Sequence, residues 1–278
     1  MRKNLLLLVL LFLNFTYSQV GVNTTNPHVS AELDVSSTTK GLLVPRLTTS
    51  AVATLASTAS EGLIVFDIDR KLFLGWDGAK WQVFGNVNPV TTIFAAWEFG
   101  AMPGGSGNFG TSPFSGTVNQ ISSATLTRGS GILTTGSGAA ASWGGKELDA
   151  TNLANAIAVG DYATISLVLP STNLFSFSRI SANIMGTSTQ GPTNVQWQYS
   201  IDGGANYINV GSPISLTVGA DTGVSEISLS SLYELQNINN TTIFFRVVMY
   251  GASAPGGTWY IRNLITGNDL EIVGTVNN

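Results

Sequence analysis

Apolar positions along this chain recur mostly every second residue. In TIFAAWEFG, Ile93, Ala95, Trp97 and Phe99 fall on one face. In NVQWQYSID, Val195, Trp197, Tyr199 and Ile201 point inward while Gln196, Gln198 and Ser200 point out. In TIFFRVVMYG, Ile243, Phe245, Val247 and Met249 oppose Phe244, Arg246, Val248 and Tyr250. A period of two is the mark of an extended strand with one buried face. ATISLVLP, SFSRISANIMG, EISLSSLYEL, TWYIRNLITG and LEIVGTV add further runs, separated by turns such as Asp202-Gly203-Gly204. Many short strands without a long helical pattern predict two packed antiparallel sheets, a β-sandwich of the jelly-roll kind, over residues 93–276.

Upstream the pattern changes. LIVFDID (63–69) and KLFLGW (71–76) read as strands, and Asp77-Gly78 turns the chain into a third, KWQVFG. Trp76 and Trp81 flank that turn and are expected to pack across the hairpin. TTSAVATLA (48–56) predicts a short helix capped by Thr48 or Thr49. Residues 19–86 thus form a small β-rich module. Residues 87–92, with Pro89 and no apolar period, form a linker.

The first eighteen residues are set apart as a signal peptide. Arg2 and Lys3 precede the apolar run LLLLVLLFL, and Thr16 and Ser18 place small residues before a cut at Gln19. That run is too short for a transmembrane helix, which takes about 20 apolar residues. The chain is therefore expected to be secreted, to periplasm, outer surface or medium, with no membrane span after cleavage. Cleavage would remove two of 12 basic residues set against 16 acidic ones, making a chain of net charge −4 more acidic still. Nucleic acid is a poor partner for such a surface, because phosphate binding needs clustered Lys and Arg. The absence of cysteine excludes disulfides, thiolate catalysis and lipidation at an N-terminal Cys. Stability has to come from a core, and 44% hydrophobic residues can supply one.

Two resemblances follow from these motifs. Val20-Gly21-Val22-Asn23-Thr24 with Pro27, Leu33-Asp34-Val35, Lys40-Gly41-Leu42-Leu43, Pro45-Arg46-Leu47-Thr48, Gly62 to Phe66 and Trp76-Asp77-Gly78 with Trp81 occur in order over nearly all of the first module. The module resembles the tail-fibre-like head module of surface proteins of Bacteroidetes and phages. That resemblance implies a structural head or stalk, often trimeric, and no reaction. Ala96-Trp97-Glu98-Phe99, Thr127 to Gly131, Tyr162-Ala163-Thr164, Trp197 to Gly203 and Gly256 to Leu264 make the second part similar to an unnamed jelly-roll domain of secreted bacterial proteins. Such domains often have an acidic pair where this chain has Arg262-Asn263.

Catalytic chemistry finds no foothold. PGGSGNFG contains Gly105-x-Gly107-x-x-Gly110, but Pro113 and Gly116 follow where a dinucleotide site needs a helix, so the loop is a loop. The single histidine, His28, lies in the first module beside Pro27, and no G-x-S-x-G elbow presents a serine. Zinc lacks the histidines and cysteines it needs. Glu98, Glu147, Asp149, Asp161, Asp202, Asp221 and Glu226 share one domain, but no spacing singles out a pair for acid–base work. The expectation is a protein that is not an enzyme.

Binding chemistry is more open. Calcium is the candidate ion, with Asp221 and Glu226, or Asp67-Ile68-Asp69, as oxygen ligands, although a D-x-D at a strand end is commonly a turn. Trp143 lies in the glycine-rich stretch GSGAAASWGGKELD and reads either as a loop-borne, exposed indole or as a plug closing the sandwich. In the first case it stacks on a sugar ring, with Arg128, Lys146 and Asp149 bonding to hydroxyls. Trp97, Trp197 and Trp259 are expected in the core. The leading function is adhesion or recognition, with glycans or surface proteins as partners and a homotrimer as the assembly. The alternatives are a purely structural subunit of a fibre-like appendage and an accessory carbohydrate-binding unit of a hydrolase system.

Overall fold

The computed structural model describes residues 19–84, 91–185, 188–263 and 266–277. The expected signal peptide, and residues 87–90 of the expected linker, lie outside the described residues. The chain forms two compact units, Met1–Pro45 and Arg46–Asn278. In the first, β1 (Val20–Val22) and β2 (Leu33–Val35) pair in parallel, Val20 beside Leu33 and Val22 beside Val35. No residue from 19 to 45 is buried.

The second unit opens with a small four-stranded sheet. It contains β3 (Arg46–Leu47), β4 (Ile64–Asp67), β5 (Leu72–Trp76) and β6 (Trp81–Val83), in that order. The helix Thr49–Leu55 follows β3, and Thr48 caps it by accepting a hydrogen bond from the Ala51 amide. Asp77 closes the β5–β6 turn, its Oδ1 accepting from the amides of Ala79 and Lys80. Trp76 lies directly opposite Trp81, with ring centroids 5.2 Å apart and edge to face. With Val52, Val65 and Leu74 they form a satellite core, which Tyr233 joins.

Tyr233 comes from far along the chain, and its partner explains why. Asp67 is fully buried and accepts from Thr49 Oγ1 and from the amides of Asp69 and Arg70. The Tyr233 hydroxyl donates to the same carboxylate. Burial pushes the Asp67 carboxyl up, but the hydrogen bonds from Arg70, Tyr233, Thr49 and Asp69 outweigh it and hold the group below its usual range. Arg70 lies over the Tyr233 ring at 4.3 Å and donates to its carbonyl at 2.7 Å. The small sheet is thereby fastened to the remainder of its unit, and the compact division falls at Pro45 instead of near residues 87–92.

The sandwich begins with β7 (Thr92–Trp97), the short β8 (Gly105–Ser106), β9 (Phe114–Ser115) and β10 (Thr117–Val118). β11 (Ser123–Arg128), β12 (Ser137–Gly138) and β13 (Ser142–Lys146) lead to the helix Leu153–Val159. β14 (Tyr162–Val168), β15 (Leu174–Met185), β16 (Asn194–Ser200), β17 (Ile208–Asn209), β18 (Ile214–Ser215) and β19 (Asp221–Ser228) precede the 3-10 turn Tyr233–Leu235. β20 (Thr242–Tyr250), β21 (Thr258–Arg262) and β22 (Leu270–Asn277) close the fold. One sheet runs β10-β7-β22-β15-β21-β13, with β19 on β15, and the other β17-β16-β20-β14-β11-β9, with β18 on β16. All their pairings are antiparallel. The predicted mainly-β sandwich is what forms.

Trp97, Trp197 and Trp259 lie in the core between the sheets, with Phe94, Phe177 and Phe245. Val195, Tyr199, Ile243, Val247 and Met249 also face inward as their alternation predicts. Two expectations need correction. Ile93 is half exposed and Phe94 fully buried, because the β22 register jumps from Ile272–Ala95 to Val273–Ile93 and leaves Phe94 as a bulge. Phe94 then packs edge-on to Phe175 and Phe177. Ile201 is exposed, being one residue past the end of β16.

Candidate functional site

Sequence reading placed the candidate ligand residues around Trp143, and the structure puts that tryptophan where no ligand can reach it. Trp143 is a strand residue of β13, not loop-borne, and is 0% exposed. Its Nε1 donates to the Thr111 carbonyl at 2.7 Å, and the Arg128 guanidinium covers its ring at 4.3 Å. The glycines that made this stretch resemble a loop serve close packing. A Cβ on Gly144 would run into the Trp259 carbonyl, and one on Gly145 into Ile132.

Arg128 is likewise a structural residue. Its guanidinium donates to the carbonyls of Gly144 (2.6 Å), Gly110 (3.0 Å) and Phe109, holding the glycine-rich loop against β13. Burial lowers its pKa to about 10, with Tyr260 acting in the opposite direction. Lys146 pairs with Glu147 at 2.9 Å, and Asp149 is exposed beyond the end of the strand. Of the four proposed ligand residues, only Arg128 and Trp143 touch, and they do so inside the fold.

The calcium candidates are not brought together either. Asp221 pairs with Arg262 at 3.7 Å and Glu226 with Arg179 at 3.4 Å. Each carboxylate is thus engaged by a different arginine. Asp67 and Asp69 instead close a turn, Asp69 Oδ2 accepting from the Thr49 amide at 2.8 Å. Among the described residues no group of three His, Cys, Asp or Glu converges. His28 bonds through Nδ1 to Ser30 Oγ at 2.7 Å and serves its own turn.

Among the described residues of the sandwich, two concave places bear on binding. The first, about 250 Å³, is walled by the loop the sequence had singled out for its glycines, from Met102 to Thr111, with Asn108 and Phe109 in its lining. Gly107 and Gly110 adopt positive φ there (73° and 82°), and the chain continues into β9 without a helix. The loop's amides are engaged locally: the Gly107 amide donates to the Gly136 carbonyl and that of Asn108 to the Gly105 carbonyl. The second, about 470 Å³, lies between the β17–β18 turn and β19 and presents Ser212, Thr222, Ser225, Ser228 and Glu226 beside Ile214. Sequence reading missed this hydroxyl-lined groove, because only the pairing of β16 with β18, and of β15 with β19, builds its walls.

The first unit offers a different kind of surface. Val29 is 89% exposed, Leu43 73% and Leu42 67%, and Val20, Val22, Leu33 and Val35 are exposed as well. A two-stranded sheet has no second layer to cover such residues. They are too many and too close in sequence to be the scattered apolar side chains of an ordinary surface.

Residues 21–95 match the family described as phage tail like trimerisation region. No curated protein matches the chain. Among solved structures, the X-ray crystal structure of chitosan-binding module 1 derived from chitosanase/glucanase from Paenibacillus sp. IK-5 is similar at 18% identity. It covers 55% of this chain and 94% of that one, with a TM-score of 0.27. In the described residues no helix is long and apolar enough to cross a membrane.

Proposed function

We propose that this chain is a secreted, non-enzymatic surface protein that assembles as a homotrimer through its N-terminal region and displays the β-sandwich as a recognition head. The observation that carries the proposal is the agreement between the trimerisation-region match over residues 21–95 and the uncovered apolar side chains of residues 19–45. Burying a Leu or Val side chain contributes about 1.5–3 kcal/mol. Three copies can cover what one copy exposes, and an extended segment with no core of its own gains its order from that assembly.

The test is a double substitution, Leu42→Asp with Leu43→Asp, in residues 19–278. Size-exclusion chromatography with light scattering should give a three-chain mass for the parent and a one-chain mass for the variant, with the sandwich's circular dichroism unchanged. A parent of one-chain mass contradicts the proposal. A second reading, a structural fibre subunit without a ligand, is favoured by the burial of Trp143, which removes the ligand stack expected there. A glycan array on the trimer separates the two.

A further inference from the structure

The outer face of the second sheet carries a buried cation with no counter-ion among the described residues. Arg246 lies in the middle of β20 and points away from the core that its neighbours Phe245 and Val247 enter. It is only 8% exposed. Its Nε donates to Gln198 Oε1 at 2.6 Å, and Gln198 is held in turn by its own bond to Asn209 Oδ1 at 2.7 Å. The guanidinium stacks on Tyr207 at 3.6 Å and lies 5.1 Å from the Tyr162 ring. Among the described residues no carboxylate pairs with it. Asp202, in the loop that leads to Tyr207, is hydrogen-bonded to Ser200 and Asn206 instead. Among the described residues the terminal nitrogens of Arg246 donate to no protein acceptor and are not sealed off, so they keep contact with solvent.

A guanidinium taken largely out of water without an anion is costly. The tyrosine faces offset part of that cost. What they leave vacant is the planar, two-pronged edge that matches a carboxylate. The cross-strand register sets hydroxyls beside it. Arg246 lies opposite Gln198 on one side and Thr164 on the other, and Thr164 lies opposite Thr127. One row along, Phe244 lies opposite Ser166, then Thr125, then Ser115. From β16 to β9 this platform is about 19 Å across at ordinary strand spacing. It combines one cation with a half-buried aromatic ring and rows of hydroxyls. A single cation on an acidic chain does not suit a polyphosphate or an anionic lipid surface, which need clustered Lys and Arg.

We propose that this sheet face binds a carboxylated sugar chain, a uronic-acid-containing polysaccharide, with Arg246 taking the carboxylate and the Thr164–Thr127 and Phe244–Ser166 rows taking the flanking rings. The proposal rests on the reading of the sandwich as a recognition head. Isothermal titration calorimetry of residues 19–278 with a xylotriose bearing a single glucuronic acid, one carboxylate for the one cation, and with neutral xylotetraose tests it. Binding of the acidic sugar, weakened about tenfold or more by Arg246→Gln and reduced by added salt, is expected. Should Arg246→Gln fail to fold, Thr164→Val, which keeps side-chain shape and spares the bond from the Thr127 hydroxyl to the Thr164 carbonyl, must weaken the same binding. Acidic-sugar binding indifferent to these changes overturns the site. Binding of the neutral sugar alone overturns it too, while leaving the recognition reading in place. If neither sugar binds to a chain that is trimeric, this inference falls and the assembly reading stands.

Discussion

The first unit and the sandwich solve opposite halves of one problem. The long strands of the sandwich hide apolar side chains on the inner face of each sheet, and the helix Leu153–Val159 covers Val248 on the outside of one of them. Residues 19–45 are nearly as apolar in places, yet bury nothing by themselves. The difference does not lie in hydrophobicity but in layers. Two facing sheets give every inward residue a partner, whereas β1 and β2 form a single two-stranded ribbon. Exposed apolar residues on a ribbon point to a layer that other chains supply.

That contrast can be broken most forcefully in the core. Phe177 contacts Phe94 and Phe245 edge-on, and Phe177→Ala should cost about 3–5 kcal/mol in urea unfolding of the sandwich. Next in size is Arg128→Met, which takes the guanidinium from the Gly110 and Gly144 carbonyls and leaves that of Phe109 with the Gly144 amide alone. It should cost about 2–3 kcal/mol, with faster hydrogen exchange over residues 102–111. Tyr233→Phe removes one donor to buried Asp67, and about 1–3 kcal/mol should be lost, with exchange rising selectively in β4 and β5. The smallest expected effect is Leu42→Ser, which should leave sandwich unfolding within about 0.5 kcal/mol of the parent while weakening assembly.

Acid should act differently on the two parts of the second unit. Burial raises the pKa of Asp161 and of Asp269 above the usual 3.8, so the native state takes up these protons first. As pH falls from neutral, the sandwich therefore gains stability from them until the unfolded chain protonates as well. Asp67 is held below 3.8, so its contribution is present above that value and is lost as pH falls through its lowered pKa. Circular dichroism melts between neutral pH and strong acid should show Asp161→Asn removing part of the early gain. Asp67→Asn should remove the late loss.

Local pattern carried much of the fold. Alternation in NVQWQYSID and TIFFRVVMYG placed Trp197 and Phe245 on the correct face, and Asp77-Gly78 placed the hairpin that pairs Trp76 with Trp81. The bulge at Phe94 was not legible, because it arises from pairing between β7 and β22, neighbours in the sheet that stand at opposite ends of the sandwich's sequence. The helix Leu153–Val159 is marked in the sequence only at its ends. Asn152 caps its start and Gly160, at φ 93°, ends it, but seven residues are too few for a periodic pattern. Of the two readings of Trp143, the buried plug is the one the structure takes, and the exposed stack is not, for a more general reason. Ser-Trp-Gly-Gly reads as a loop by composition, whereas Gly144 and Gly145 are small because backbone and side chains from β21 and the Ile132 turn press against them. Alternation in TIFFRVVMYG faces Arg246 outward, but its burial follows from Tyr207, which a loop brings in from another strand pair.

Sedimentation equilibrium of residues 19–278 at low-micromolar concentration measures most directly what residues 19–45 are for. A mass of three chains, falling to one chain when Leu42 and Leu43 are both made acidic, is the outcome that uncovered ribbon demands. A stable single-chain mass, with Val29, Leu42 and Leu43 left in water, would show that nothing in solution needs to cover them and that the head is displayed alone.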